Sequence, residues 1–238
     1  MAASGIPQGL AVLTGAGISA DSGVPTFRGE HGLWRNFHPQ ELATLAAFCR
    51  DPALVWEWYE WRRGLIGDCQ PNAAHRTLVK MEGAIPQFTL ITQNVDGLHR
   101  LAGSQRVVEL HGNIWQVRCM QEGTVTERRD HPLPEIPPRC ECGALLRPDV
   151  VWFGESLPPD TLQAAFDAAQ SCQVMLVVGT SGVVEPAASL PRIAKGCGAR
   201  VVEVNVEATP ISRYADETIL GLASIELPRL WTRWQALP

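Results

Sequence analysis

Apolar runs rich in β-branched residues recur along the chain at 10–14, 88–92, 107–110, 174–178 and 201–204. A half-exposed strand would alternate apolar and polar positions; these do not, which predicts strands buried on both faces, as in a parallel sheet. The stretches 39–49, 53–65, 73–82, 161–171 and 186–196 carry helical period and length. Strand and helix in alternation predict an α/β, Rossmann-like doubly wound parallel sheet. Residues 118–147 break the pattern: they are rich in Pro, Glu and Arg, hold three cysteines and keep no period, and are expected to form a small inserted module. A second, helical insert is expected at about 27–72, within a single catalytic domain spanning 1–238. The cluster Glu127, Arg128, Arg129 and Asp130 reads as a solvated turn.

Composition narrows the classes. At 238 residues and 45% hydrophobic content the chain can bury a large core. A formal net charge of -5 gives no general attraction to nucleic acid or to an anionic membrane, and is compatible with a basic, lysine-bearing partner. No apolar run approaches the roughly 20 residues of a spanning helix, and the first residues lack a basic stretch followed by an apolar one. The expectation is a cytoplasmic monomer. Seven cysteines is an odd count, and Cys49, Cys69, Cys172 and Cys197 lie singly in periodic segments, which suits reduced thiols better than a disulfide framework.

The candidate chemistry lies at strand ends. After the first strand, Gly15-Ala16-Gly17-Ile18-Ser19-Ala20 fits the glycine pattern of a dinucleotide loop, where small residues let backbone N–H groups approach a pyrophosphate. A tight turn needing small residues would read the same way. The loop runs on through Phe27 and Arg28, unlike the smooth helix of a dehydrogenase, and the usual ribose-binding acid after a second strand is missing. Gly179-Thr180-Ser181-Gly182 follows the fourth strand, and Asn205 and Glu207 follow the fifth. In an open parallel sheet all these ends meet in one crevice. Gln93, Asn94 and Asp96 end the second strand, and His111 ends the third just before a glycine, where a neutral imidazole can act as a general base near pH 7. His31, His38, His75, His99 and His131 read as surface or core histidines.

The segments GAGISADSGVPTFRG, TQNVDGLH, ELHGNIW, RPDVVWFGE and GTSGVVEPAASLP, in this order, closely resemble the sirtuins over about residues 10–207. The resemblance implies an NAD-consuming removal of acyl groups from protein lysines, giving nicotinamide and O-acyl-ADP-ribose. It implies that Gly15, Ala16, Gly17, Ser19, Phe27 and Arg28 line the NAD site. Gln93, Asn94 and Asp96 would serve the nicotinamide and ribose side, and Gly179, Thr180, Ser181, Asn205 and Glu207 the adenosine half. His111 would be the base, helped by Asn94, and Val151, Phe153 and Gly154, with 182–185, would present strand edges to an extended acyl-lysine peptide. A dehydrogenase and a non-catalytic NAD or ADP-ribose binding module are the alternatives. The first has no need of Gln93 to Asp96 beside His111, and the second no need of an intact His111, Asn94 and Asp96.

Two features are particular. Tyr59 and Arg62 stand three apart on a predicted helix and share a face, where phenol and guanidinium could grip a carboxylate. The same residues could simply pack. Within the resemblance they match the pair of the subgroup that removes succinyl, malonyl and glutaryl groups, although Glu30 puts a negative charge near that pocket. Sirtuins commonly carry CxxC…CxxC, a tetrahedral zinc signature. Here Cys119, Cys140 and Cys142 remain, with Glu122 or His131 as the fourth ligand, so a structural zinc site and a metal-free loop are both open.

Overall fold

The computed structural model describes residues 5–25 and 42–236. Its strands, in chain order, are β1 (Gly9–Thr14), β2 (Gln87–Thr92), β3 (Val107–Glu109), β4 (Gly112–Cys119), β5 (Val125–Glu127), β6 (Leu146–Val150), β7 (Val174–Val178), β8 (Arg200–Asn205) and β9 (Glu217–Leu220). A six-stranded parallel sheet runs β3-β2-β1-β7-β8-β9, and a separate antiparallel sheet runs β5-β4-β6. The helices used below are α1 (Leu45–Arg50), α2 (Pro52–Gly67), α3 (Ala73–Ala84), α4 (Leu98–Ala102), α5 (Pro159–Ser171), α6 (Leu190–Gly196) and α7 (Ala223–Ala236). No helix among the described residues is long and apolar enough to cross a membrane.

Both faces of the large sheet are covered, which is why its central strands read as unbroken apolar runs. Leu10 and Val12 of β1 face Ala74, Leu78 and Met81 of α3 and Leu227 and Leu230 of α7. Ala11 and Leu13 point the other way, into Ala165 and Ala169 of α5 and Leu190 and Ala194 of α6. From β1 the chain steps outward through β2 to β3, then returns to lay β7 on the other flank of β1 and continues to β8 and β9. Strand order therefore reverses between β1 and β7. Loops leaving that point part to opposite faces, and a crevice opens beyond the carboxyl ends of the two strands.

The third core lies under the small sheet, where Trp56, Tyr59 and Ile66 of α2 pack with Ile114, Val117, Leu146 and Trp152. Asp51 fixes the start of α2: its carboxylate accepts from the Leu54 N–H at 3.0 Å, and Pro52 in the first turn has no N–H to leave unpaired.

Several expectations shift. The sheet has a sixth strand, β9, followed by helix α7. The segment 186–196 divides into a tight turn (Ala187–Ser189) and α6. The aperiodic 118–147 is mostly the irregular connections of the antiparallel sheet, whose strands β4 and β6 reach outward to Gly112 and Val150. Phe27, Arg28, Glu30, His31 and His38, and the start of the predicted 39–49 helix, lie outside the described residues.

Candidate active site

The crevice between β1 and β7 is built by two loops pressed together. Gly15 N donates to Val178 O at 3.0 Å and Gly17 N to Gly179 O at 2.8 Å. A Cβ on Gly15 would lie 2.8 Å from Gly179 O, and one on Gly17 2.8 Å from the Gly179 Cα. These glycines are therefore required by loop-to-loop approach, and their two N–H groups are spent on β7 and its loop. That purpose differs from the anion contact their pattern suggests.

Beneath the loop, polar side chains interlock. Ser19 is fully buried; its hydroxyl donates to Asp96 Oδ2 at 2.8 Å. Asp96 Oδ1 accepts from the Leu98 N–H at 2.8 Å. Burial pushes the Asp96 carboxyl up from its usual range, against the pull of the Leu98 and Ser19 donors. Asn94 Nδ2 reaches Gly15 O at 3.1 Å and Ser19 Oγ at 3.2 Å, so the second strand end is tied to the first. His75 Nδ1 accepts from the Asn72 N–H at 3.3 Å, so the proton sits on Nε2, which lies 3.4 Å from Ser19 Oγ. Asn72 Nδ2 donates to Ile18 O at 2.8 Å. Trp115 adds an outer tie, its indole N–H donating to Asp96 O at 2.8 Å.

His111 follows β3 and is half-buried. Its Nδ1 is 2.9 Å from Gln93 O. A carbonyl only accepts, so Nδ1 carries the proton and Nε2 presents its lone pair. Burial lowers the His111 pKa below the ordinary histidine range, the Gln93 carbonyl opposing. The imidazole is thus neutral and oriented, as a general base must be. Gln93 Nε2 donates to Thr180 Oγ1 at 2.9 Å, and Asn205 Nδ2 to Thr180 O at 2.8 Å. Four strand ends therefore converge. Glu207 is exposed beyond them, and Ser181 is half-buried.

The other candidates fall into two groups. Val151 N donates to His111 O at 2.9 Å, and Phe153 and Gly154 are exposed in the turn after β6; among 151–155 and 182–185 there is no strand, because β6 ends at Val150. Tyr59 and Arg62 are both buried on α2, with the Arg62 guanidinium 5.5 Å from the Tyr59 ring centre and 4.7 Å from that of Trp58. Trp152 Nε1 donates to the Tyr59 hydroxyl at 2.8 Å, leaving that hydroxyl its own proton to donate. Nothing in the sequence singled out Trp152 or Trp115 for these hydrogen bonds.

Cys119, Glu122, Cys140 and Cys142 offer ligand atoms all within 4.8 Å of one another. The Cys119 and Cys142 sulfurs are 3.5 Å apart, and Glu122 Oε2 lies 3.8 Å from the Cys140 sulfur. A tetrahedral zinc ion with bonds of about 2.3 Å to sulfur needs ligands just under 4 Å apart, so three thiolates and one carboxylate fit it. The Glu122 N–H also points at the Cys119 sulfur, at 3.4 Å. Of the two expected fourth ligands, Glu122 is in place. His131 is not; its Nδ1 is paired with Glu60 on α2.

The sequence profile of the Sir2 family matches residues 15–186. An NAD-dependent protein deacylase of Aquifex aeolicus is 59% identical over 223 residues, covering 93% of each chain. A Sir2 homologue solved as its NAD complex superposes with a TM-score of 0.90 at 45% identity, over 96% of this chain and 90% of the other. A Sir2 protein solved with a p53 peptide and NAD gives 0.84 at 33%, over 95% and 93%. Fold, crevice and profile agree: the chain belongs to the Sir2, or sirtuin, family.

Proposed function

We propose that this chain is an NAD-dependent protein-lysine deacylase whose pocket takes succinyl and malonyl groups as well as acetyl. The observation that carries the reading is His111, neutral, its Nδ1 held by the Gln93 carbonyl in the loop after β2 and its Nε2 left to accept a proton. NAD, when bound, supplies the ribose carbon that the acyl oxygen attacks as nicotinamide leaves. His111 then removes a proton from a ribose hydroxyl at Nε2, with Asn94 orienting the ribose. Asp96 holds the nicotinamide amide, and Ser19, whose hydroxyl is spent on Asp96, acts by fixing that carboxylate. Gly15, Ala16, Gly17, Phe27, Arg28 and Gln93 line the rest of that half. Gly179, Thr180, Ser181, Asn205 and Glu207 take the adenosine half. Val151, Phe153 and Gly154 meet the peptide backbone, with no sequence motif demanded. Residues 1–238 work as one catalytic domain with inserts at about 27–72 and 118–147, the latter holding a structural zinc ion through Cys119, Cys140, Cys142 and Glu122.

The acyl preference is argued from Tyr59 and Arg62. A buried guanidinium beside a phenol that has a proton to donate is an arrangement suited to a carboxylate, and a charge-assisted hydrogen bond there is worth about 1.5–3 kcal/mol, or roughly ten- to a hundred-fold. Acetyl-, succinyl- and malonyl-lysine peptides incubated with and without NAD, and followed by mass spectrometry, test both levels. The expected result is NAD-dependent loss of the acyl group with release of nicotinamide, faster for succinyl than for acetyl. Arg62→Met should raise KM for succinyl-lysine and spare acetyl-lysine. Acyl loss that ignores NAD overturns the activity; a wild type preferring acetyl outright overturns only the selectivity, and Glu30→Ala then asks whether that carboxylate is responsible.

A further inference from the structure

The helix that carries Tyr59 and Arg62 is gripped along its neighbouring face by a loop of the cysteine-bearing module. Glu60 Oε1 accepts from the Leu133 N–H at 2.9 Å and pairs with His131 Nδ1. Arg63, fully buried, donates to the carbonyls of Arg128 and, at 3.0 Å, Asp130, and lies 3.5 Å from the Glu60 carboxylate. The Nε2–Cε1 edge of the His131 ring abuts Gly64: a Cβ there would come within 2.8 Å of Nε2. From Arg63 the contact continues inward, its guanidinium 5.2 Å from the centre of the Trp115 ring whose N–H holds Asp96 O.

We propose that the loop 128–133 is a latch on α2, and that His131, Glu60 and Arg63 are positioning residues that set acyl selectivity by fixing Tyr59 and Arg62. This rests on the acyl-pocket reading above. Tyr59 and Arg62 directly precede Glu60 and Arg63 on one rigid helix, so a small rotation of α2 about its axis moves the phenol and guanidinium together. A carboxylate held through two directional bonds feels such a rotation; an acetyl methyl, held by contact alone, feels it much less. His131 is the member to test, because its side chain is 37% exposed and its loss leaves little unpaired, whereas Arg63 is enclosed.

His131→Ala should raise KM for a succinyl-lysine peptide about five-fold while leaving kcat, KM for NAD and KM for acetyl-lysine near wild type. His131→Asn, whose amide nitrogen takes the place of Nδ1, should restore the succinyl value. Gly64→Ala, which pushes the ring off the helix, should reproduce the loss. Equal losses on both peptides, or no change on either, overturn the proposal, as does failure of His131→Asn to rescue. Arg62→Met run in parallel separates the two claims. If it shifts the succinyl-to-acetyl ratio and His131→Ala does not, the latch alone is wrong. If Arg62→Met leaves the ratio untouched, the acyl-pocket reading has failed and selectivity by the latch fails with it; amide exchange across 59–63 in the whole protein then reports on the grip itself, faster in His131→Ala if the latch holds and equal to wild type if it does not.

Discussion

His111 is fixed through one ring nitrogen and offered through the other, and that division sets what its loss should do. His111→Ala removes one hydrogen bond to a carbonyl, about 1 kcal/mol of stability, yet should cost deacylation roughly 10²- to 10⁴-fold. A thermal midpoint lowered by only about 2–4 °C, with a collapse in kcat, is the expected pair of measurements; undiminished turnover removes the assignment. Burial lowers the His111 pKa, so its neutral, active form persists to lower pH than an ordinary histidine allows. The acid limb of kcat/KM should therefore fall with an apparent pKa below about 6.5, the unperturbed value. At this scale the sequence disclosed residue types at strand ends, since those are fixed by local order. The partners were hidden, because Gln93 O to His111, Asn94 to Gly15, and Trp115 to Asp96 are contacts between segments far apart in the chain. Residue type alone could not tell a direct contact from a supporting one, as Ser19 illustrates.

The start of α3 couples an element to that site. Asn72 caps the helix, accepting from the Ala74 N–H at 2.8 Å, while reaching back to Ile18; His75 completes the cap and touches Ser19. Burial pulls the His75 pKa down to about 4 from an ordinary 6.5. Between those values the unfolded chain binds a proton that the folded one refuses, so stability is retained above pH 6.5 and lost as pH falls toward 4. The span corresponds to about 3 kcal/mol. Urea midpoints taken at pH 7 and pH 4.5 in wild type and His75→Gln check this: the variant should lose less on acidification, and parallel losses discount His75. Elements were legible where burial was complete. The five apolar runs became strands β1, β2, β3, β7 and β8. In contrast β9 is four residues long at a sheet edge and alternates in exposure, and α7 carries Pro228 in its interior, a residue that argues against a helix. The small sheet was illegible for a related reason: β5 is fully exposed, and β4 is irregular in register against β6 between Gly112 and Val117.

For the whole molecule, the cysteine-bearing module stands apart from the large sheet and shares its core with α2. If Cys119, Glu122, Cys140 and Cys142 hold zinc, purified protein should contain about one equivalent, and a chelator should lower its thermal midpoint, because metal bound only by the folded state adds its binding energy to folding. Active protein free of metal and indifferent to chelator would settle for the metal-free loop. The doubly wound sheet was legible at this scale because alternation of strand and helix is a property of the whole chain, whereas the fourth ligand was not, since sequence spacing left Glu122 and His131 equivalent. The two pressed loops of the crevice bear on how such a site could be moved between proteins. A Cβ on Gly179 would lie 2.5 Å from Ile18 N, and one on Gly15 2.8 Å from Gly179 O, so each loop is the mould of the other. A chimaera that transplants residues 15–25 into another doubly wound sheet must carry 179–182 with it; the heritable unit of this pocket is a pair of segments more than 150 residues apart, and neither travels alone.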